Sequence, residues 1–187
     1  MLWRSAGLLV VSALQVAIGD ELSCDFIKPC CWTSLDDNNK WQIKSSRSIN
    51  FNDYRRTFIV GRTRSPPVGN YLIQNGDKSR SMYGSCKFCS IDDEVNIQYR
   101  YWQSPSVKLK LCWRRWGEPI RDENCHLTKP SRQSQIISQN LIVPRGKDVQ
   151  VFFIMEKEKG AINGIVMIDR IFLTVKKCGT PNTERVT

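Results

Sequence analysis

Cysteine is the residue type that brings the most chemistry to this chain. Eight are present: Cys24, Cys30, Cys31, Cys86, Cys89, Cys112, Cys125 and Cys178. Thiols in such numbers serve redox catalysis, zinc binding or structural disulfides. Cys86-Lys-Phe-Cys89 has the spacing of a redox pair, but no βαβ pattern surrounds it to set the pair at a helix N-terminus. Zinc is disfavoured because one histidine, His126, is all that accompanies the thiols. The same lone histidine removes the nucleophile–histidine–acid triads and nearly all metalloprotease designs. We therefore expect no enzyme, no catalytic residue and no cofactor, with His126 on the surface beside a Cys112–Cys125 bridge. Carboxylates cluster at Asp36-Asp37 and Asp92-Asp93-Glu94. Strand neighbours point to opposite faces, so adjacency alone builds no acid–base dyad. A Ca²⁺ ion at Asp36 or Asp37 would need six or more oxygen ligands, a set the sequence does not assemble; solvated loop carboxylates are the expectation.

Disulfides are left, and the start of the chain agrees with them. Residues 1–19 carry one early charge, Arg4, then an apolar stretch from Ala6 to Ile18, then small residues Ala17 and Gly19 two apart. That is the pattern of a secretory signal peptide with cleavage before Asp20. An uncleaved anchor is the competing reading, against which the stretch falls short of the ~20 apolar residues of a membrane span. All eight cysteines follow the cut, in a chain bound for an oxidising compartment, and their even number allows four disulfides. No second apolar run approaches membrane length, and 180–187 reads as a polar tail. We expect a secreted, extracellular protein without a membrane span.

The formal charge is +10, and losing Arg4 with the leader leaves +9. In an extracellular setting such basicity meets sulfated or acidic glycans or acidic proteins; nucleic acid is excluded by compartment. A charge that merely keeps the domain soluble accounts for it equally well. Lys108, Lys110, Arg114 and Arg115 are the candidate partner-binding cations, because Lys108 and Lys110 share a strand face opposite Leu109 and Leu111. Further basic clusters are Lys44–Arg47, Arg55-Arg56, Arg62 with Arg64, and Lys176-Lys177. Trp113 and Trp116 among the arginines would serve either as a binding platform or, more commonly in a sandwich, as core aromatics. No Asn-x-Ser/Thr sequon occurs.

The elements that must hold these residues are strands. Period-two alternation runs through Val95–Tyr101, Val107–Trp113, Val149–Met155 and Ile168–Val175, and more weakly through Arg56–Val60 and Ile136–Val143. Such strands belong to antiparallel sheets with one face on a core and one in water. Turn residues separate them at Pro66-Pro67-Val-Gly69, Asn75-Gly76, Gly117-Glu-Pro119, Pro144-Arg-Gly146 and Asn163-Gly164. No internal repeat or linker divides 20–179, so we expect one domain there: all-β, a disulfide-stapled antiparallel β-sandwich. The Cys112–Cys125 segment, with Gly and Pro near its middle, would close a hairpin.

The motifs resemble one family. Cys24-Asp-Phe26-Ile-Lys-Pro-Cys30-Cys31-Trp32, then Asp36-Asp37 before Trp41, is similar to the opening of MAM domains, the extracellular modules of meprins, neuropilins and certain receptor tyrosine phosphatases. Gly69-Asn-Tyr71, Val95–Trp102 and Val166–Leu173 followed by Cys178 resemble later family segments, so the likeness runs from Cys24 to Cys178. It implies jelly-roll connections and a role in adhesion or binding, without catalysis. It also implies that Cys24 pairs with Cys30, and Cys178 with Cys86 or Cys89, the other of these joining Cys31. The chain departs from the family at Cys31, where glycine is usual, at four extra cysteines, and at Arg170, where a second aspartate is usual; the last weakens any acidic or cation-binding role there. A secreted MAM-like binding or adhesion protein with a protein or acidic-glycan partner is the expected function; a secreted inhibitor or defence protein on a disulfide-stabilised scaffold is the alternative.

Overall fold

Alternation of apolar and polar side chains becomes eleven strands in the computed structural model, which describes residues 20–36, 41–58, 65–75, 80–128, 135–160, 164–176 and 178. The expected leader 1–19, the tail 180–187, Asp37, Arg62, Arg64 and Lys177 lie outside those residues. The strands are β1 (Thr33–Ser34), β2 (Gln42–Ser45), β3 (Asn70–Gln74), β4 (Arg80–Gly84), β5 (Phe88–Ser90), β6 (Glu94–Gln103), β7 (Val107–Arg115), β8 (Cys125–Leu127), β9 (Gln135–Ile142), β10 (Gly146–Lys157) and β11 (Val166–Thr174). An α-helix, α1 (Phe51–Phe58), interrupts the series between β2 and β3.

Two antiparallel sheets form. The first runs β1-β4-β10-β7-β8, with β5 also pairing β10; the second runs β2-β3-β11-β6-β9. The expected antiparallel jelly-roll sandwich is what the chain builds. Each of the four clear period-two stretches is a strand, and the weaker Ile136–Val143 stretch is β9.

Between the sheets lies a core of aromatic and branched side chains. Tyr99, Tyr101, Phe153, Leu109, Leu111, Ile97 and Ile168 are buried there. Each such fully buried side chain is worth about 1.5–3 kcal/mol. Trp32 stacks on Tyr83 at 6.1 Å and meets Phe153 at 5.7 Å, while Trp41 meets Tyr83 at 5.8 Å. Two of these polar groups are paired: the Trp32 indole N–H donates to the Leu22 carbonyl at 2.7 Å, and the Tyr83 hydroxyl donates to the Trp32 carbonyl at 3.2 Å, while the buried Trp41 indole N–H has no partner. Burial pushes the Tyr83 phenol up to about 12.

The sequence of β11 breaks its alternation once. Ile168 and Ile171 are three apart, yet both face the core, opposite Tyr101 and Tyr99. A bulge between Asp169 and Ile171 inserts the extra residue, and Arg170 takes the left-handed conformation there, φ +58°. The bulge keeps both isoleucines inside and turns Arg170 out to solvent.

Two expectations need correction. Arg56–Phe58 is the end of helix α1, not a strand, and Ile59 and Val60 lie outside the described residues. The reason is local: the Asn50 side-chain oxygen accepts from the backbone N–H groups of Asn52 (3.0 Å) and Asp53 (3.4 Å), capping the helix. Tyr54 and Phe58, one turn apart, then bury against Tyr71, Ile73, Trp102 and Met167 on the outer face of the second sheet. Nor is β10 half in water: Val149 to Met155 are buried on both faces. Phe152 and Ile154, on its outer side, are covered with Cys112 by Leu35, Met82, Ile120 and Cys125.

Four disulfides join Cys24 to Cys30, Cys31 to Cys86, Cys89 to Cys178 and Cys112 to Cys125, and no described cysteine is free. Each pairing implied by the family resemblance is present, with Cys31 taking Cys86. Cys112 and Cys125 are register partners on β7 and β8, and their bridge closes the expected hairpin.

Candidate functional site

The candidate cations on β7 do not act as one patch. Lys108 and Arg115 are exposed. Lys110 is largely covered; its ammonium lies 2.9 Å from Glu156 on β10 and 3.6 Å from Asp122, and the Glu156 contact raises its pKa above the usual lysine value. Arg114 donates through Nε to Gln150 at 3.0 Å and lies 5.4 Å over the Phe152 ring. Gln150 donates in turn to the Ser85 carbonyl at 2.8 Å, so Arg114 belongs to a hydrogen-bond chain linking β7 to the chain past β4. The pattern showed which face these residues share; the anions and rings that engage them come from β10 and the loop before β8.

The other sequence candidates are placed as follows. Cys86 and Cys89 pair with different partners, so the redox-like spacing forms no dithiol couple. Asp36 accepts from the Met82 backbone N–H at 2.6 Å, tying the segment after β1 to β4. Asp92 pairs with Lys176 at 2.9 Å and Asp93 with Arg145 at 3.3 Å, both as surface ion pairs. His126 is exposed beside Cys125. Trp113 packs against the core; Trp116 is about half exposed. Among the described residues no group of three or more His, Cys, Asp or Glu could hold a metal ion.

A different surface gathers binding-type chemistry: the outer face of the second sheet beside the β11 bulge. A groove of about 370 Å³ there is lined by Val68, Gln98, Arg100, Ile136, Arg170 and Phe172, among others. Phe172 occupies a position where the β11 alternation calls for a polar residue, and it stays 50% exposed. It also lines a second groove, with Ser23, Asp25, Lys28 and Pro29. Phe172 thus stands as a wall between two adjoining grooves, one flanked by Arg100 and Arg170, the other by Lys28. Arg100 is held with its guanidinium 5.0 Å over the Trp102 ring, and Trp102 donates to the Ser65 carbonyl at 3.2 Å. Asp169 is buried at the floor; burial raises its carboxyl above the usual range, against the lowering pull of the Val68 N–H, Arg170 and Arg100. Phe172, Arg100 and Ile136 were absent from the sequence candidates. The one signal for them was an aromatic at an outward strand position.

The fold has counterparts among solved structures. The enzymatically active domain of tailspike protein 4 from bacteriophage CBA120 aligns with 81% of this chain at a TM-score of 0.50 and 6% identity, this chain spanning about 20% of its length. The xylan-binding domain of a Paenibacillus barcinonensis protein aligns with 84% of this chain and 95% of its own, at TM-score 0.49 and 9% identity. The K1 cleaved adhesin domain of Lys-gingipain from Porphyromonas gingivalis covers 83% of this chain and 98% of its own, at TM-score 0.47 and 9% identity. Likeness at these identities is one of fold. No protein-family model and no curated protein matches the chain.

Proposed function

We propose that the chain is a secreted, non-enzymatic, MAM-like extracellular binding module whose partner is an acidic glycan, held along the two grooves that meet at Phe172. The motif order from Cys24 to Cys178 supports the MAM-like assignment, as does the pairing of Cys24 with Cys30 and Cys89 with Cys178. The observation that carries the binding site is Phe172, a half-exposed aromatic flanked by Arg100, Arg170 and Lys28. An aromatic face stacks on the apolar face of a sugar ring, while guanidinium groups bind carboxylate or sulfate in a bidentate fork. Adjoining grooves suit an extended chain rather than a single sugar.

The reading differs from a simple basic strand face, because two of the four β7 cations are already engaged. Retention on a sulfated-glycan column tests it. Arg170→Ser and Phe172→Ala, each folded by circular dichroism, should elute at clearly lower salt than the parent. Phe172→Ala separates the groove from bulk charge, since it leaves the net charge intact. Unchanged elution of both, with a drop in Lys108→Ser/Arg115→Ser, would move the contact to β7 and overturn the groove assignment.

A further inference from the structure

The second sheet ends in an edge that is not blunted. Edge strands expose rows of N–H and C=O groups, and natural sheets guard them with charge, proline, bulges or brevity. β9 has none of these: Gln135-Ile-Ile-Ser-Gln-Asn-Leu-Ile142 is eight residues long, uncharged, free of proline and in unbroken register with β6. Among the described residues, nothing pairs with its outer side.

Which groups point outward follows from the ladder. The Val143 N–H donates to the Asp93 carbonyl, in continuation of the β6–β9 register. Antiparallel ladders alternate, so Ile137, Gln139 and Leu141 address β6, while the backbone groups of Ile136, Ser138, Asn140 and Ile142 address the open edge. The side chains of these same four residues lie on the exposed outer face, Ile136 at 75% and Ile142 at 76% exposure.

The segment is palindromic in character about Gln139: two apolar residues, three polar, two apolar. Laid antiparallel against a second copy with Gln139 opposite Gln139, it sets Ile136 opposite Ile142 and Ser138 opposite Asn140 on the outer face. On the inner face it sets Ile137 opposite Leu141. Apolar meets apolar and polar meets polar at every position. Ile136 with Ile142 and Ser138 with Asn140 have outward N–H and C=O groups and form the hydrogen-bonded pairs of the seam, while Gln139 with Gln139 and Ile137 with Leu141 are the non-hydrogen-bonded pairs. The β6 neighbours extend the match, with Asn96 already donating to Asn140 and to Ser138 (3.1 Å), so an amide and hydroxyl ladder continues across the seam. A neutral strand also lets copies of a chain with formal charge +10 approach without placing like charges opposite each other along the seam.

We propose that β9 is a homodimerisation edge: two copies pair antiparallel about a two-fold axis at Gln139, joining their five-stranded sheets into one continuous sheet. The partner is a second copy of this chain, and the seam adjoins the glycan groove, since Ile136 belongs to both. The signs of the salt response separate the two, since salt screens repulsion between basic copies and strengthens pairing, while it weakens glycan binding.

Sedimentation velocity from low micromolar to about 0.1 mM protein tests the pairing. The parent should pass from monomer to dimer over this range, and at lower concentration in higher salt. Asn140→Pro removes an N–H that only the partner uses, and Ile142→Lys sets a charge on an exposed position; each should raise the dimer dissociation constant at least tenfold. Proline is tolerated where an edge N–H faces outward, and circular dichroism verifies the fold; Ile142→Lys carries the test alone if the proline variant is perturbed. Register is read separately. Directly opposed non-hydrogen-bonded residues lie ~4.5 Å apart at Cα, within disulfide reach, so Gln139→Cys should cross-link to itself under mild oxidation while Ser138→Cys does not. A parent monomeric throughout, a dimer untouched by Ile142→Lys, or a dimer that Gln139→Cys fails to link would each overturn the proposal.

Discussion

Asp169 shows what a single residue contributes once the fold has closed round it. In the sequence it is a polar position in a C-terminal strand; in the structure it is 4% exposed, beside a bulge, at the floor of the candidate groove. Burial raises its carboxyl, with the Val68 N–H, Arg170 and Arg100 pulling the other way. A carboxyl whose folded-state pKa exceeds its unfolded value holds more protons when folded, so stability rises as pH falls through the interval between the two values. The penalty is fully present above that interval, at neutral pH. Asp169→Asn, which keeps an acceptor for the Val68 N–H, is therefore expected to be more stable than the parent at pH 7. The advantage should vanish once the solution is acid enough to protonate the carboxyl in both states; urea denaturation at the two pH values measures it. Individual residues were also where the sequence was least legible. Lys108 and Lys110 read as equivalents two apart, but only the structure sets Glu156 and Asp122 against one of them and leaves the other in water.

Elements were legible wherever one interaction decided them. The four clear alternating stretches are strands because a sandwich core demands an apolar residue at every second position. The three-residue step from Ile168 to Ile171 was passed over, since the stretch read as plain alternation; the bulge that absorbs the extra residue shows only in the structure. Helix α1 was missed because eight residues are too few to display a helical period, and Arg56-Thr-Phe58 alternates like a strand. Its cap, Asn50, and its one-turn pair, Tyr54 and Phe58, are the features that mattered. The double burial of β10 was hidden as well, since covering its outer face takes Leu35, Met82 and Ile120 from distant parts of the chain. The packing of α1 makes a prediction at this scale. Tyr54→Ala should cost about 3 kcal/mol, by analogy with other buried aromatic truncations, but the loss should be local. Hydrogen exchange should accelerate across Phe51–Phe58 while the β10 amides, in the twice-covered centre of the first sheet, keep their protection.

At the scale of the whole molecule, the disulfides were the most legible feature, because the family resemblance implied the pairing of Cys24 with Cys30 and of Cys178 with Cys86 or Cys89, and the hairpin spacing suggested Cys112 with Cys125. What resemblance and hairpin left open was which of Cys86 and Cys89 joins Cys31 and which joins Cys178, since the two are near neighbours and only three-dimensional placement separates them. That placement has a mechanical consequence. Cys30 and Cys31 are adjacent, and Cys86 and Cys89 nearly so, which puts three bridges in series: Cys24 to Cys30, Cys31 to Cys86, Cys89 to Cys178. A tensile load entering near Cys24 and leaving at Cys178 travels through sulfur and two short pieces of backbone. β1 to β4 and β6 to β11 all sit in closed loops off that path and feel none of it. Pulled by its ends in an optical trap, the oxidised domain should lengthen by only a few residues' worth of chain, however hard it is pulled. After reduction the span from Cys24 to Cys178 becomes free to unravel to roughly 500 Å, at ~3.3 Å per residue. A module wired this way would stay folded under shear because the force bypasses its fold.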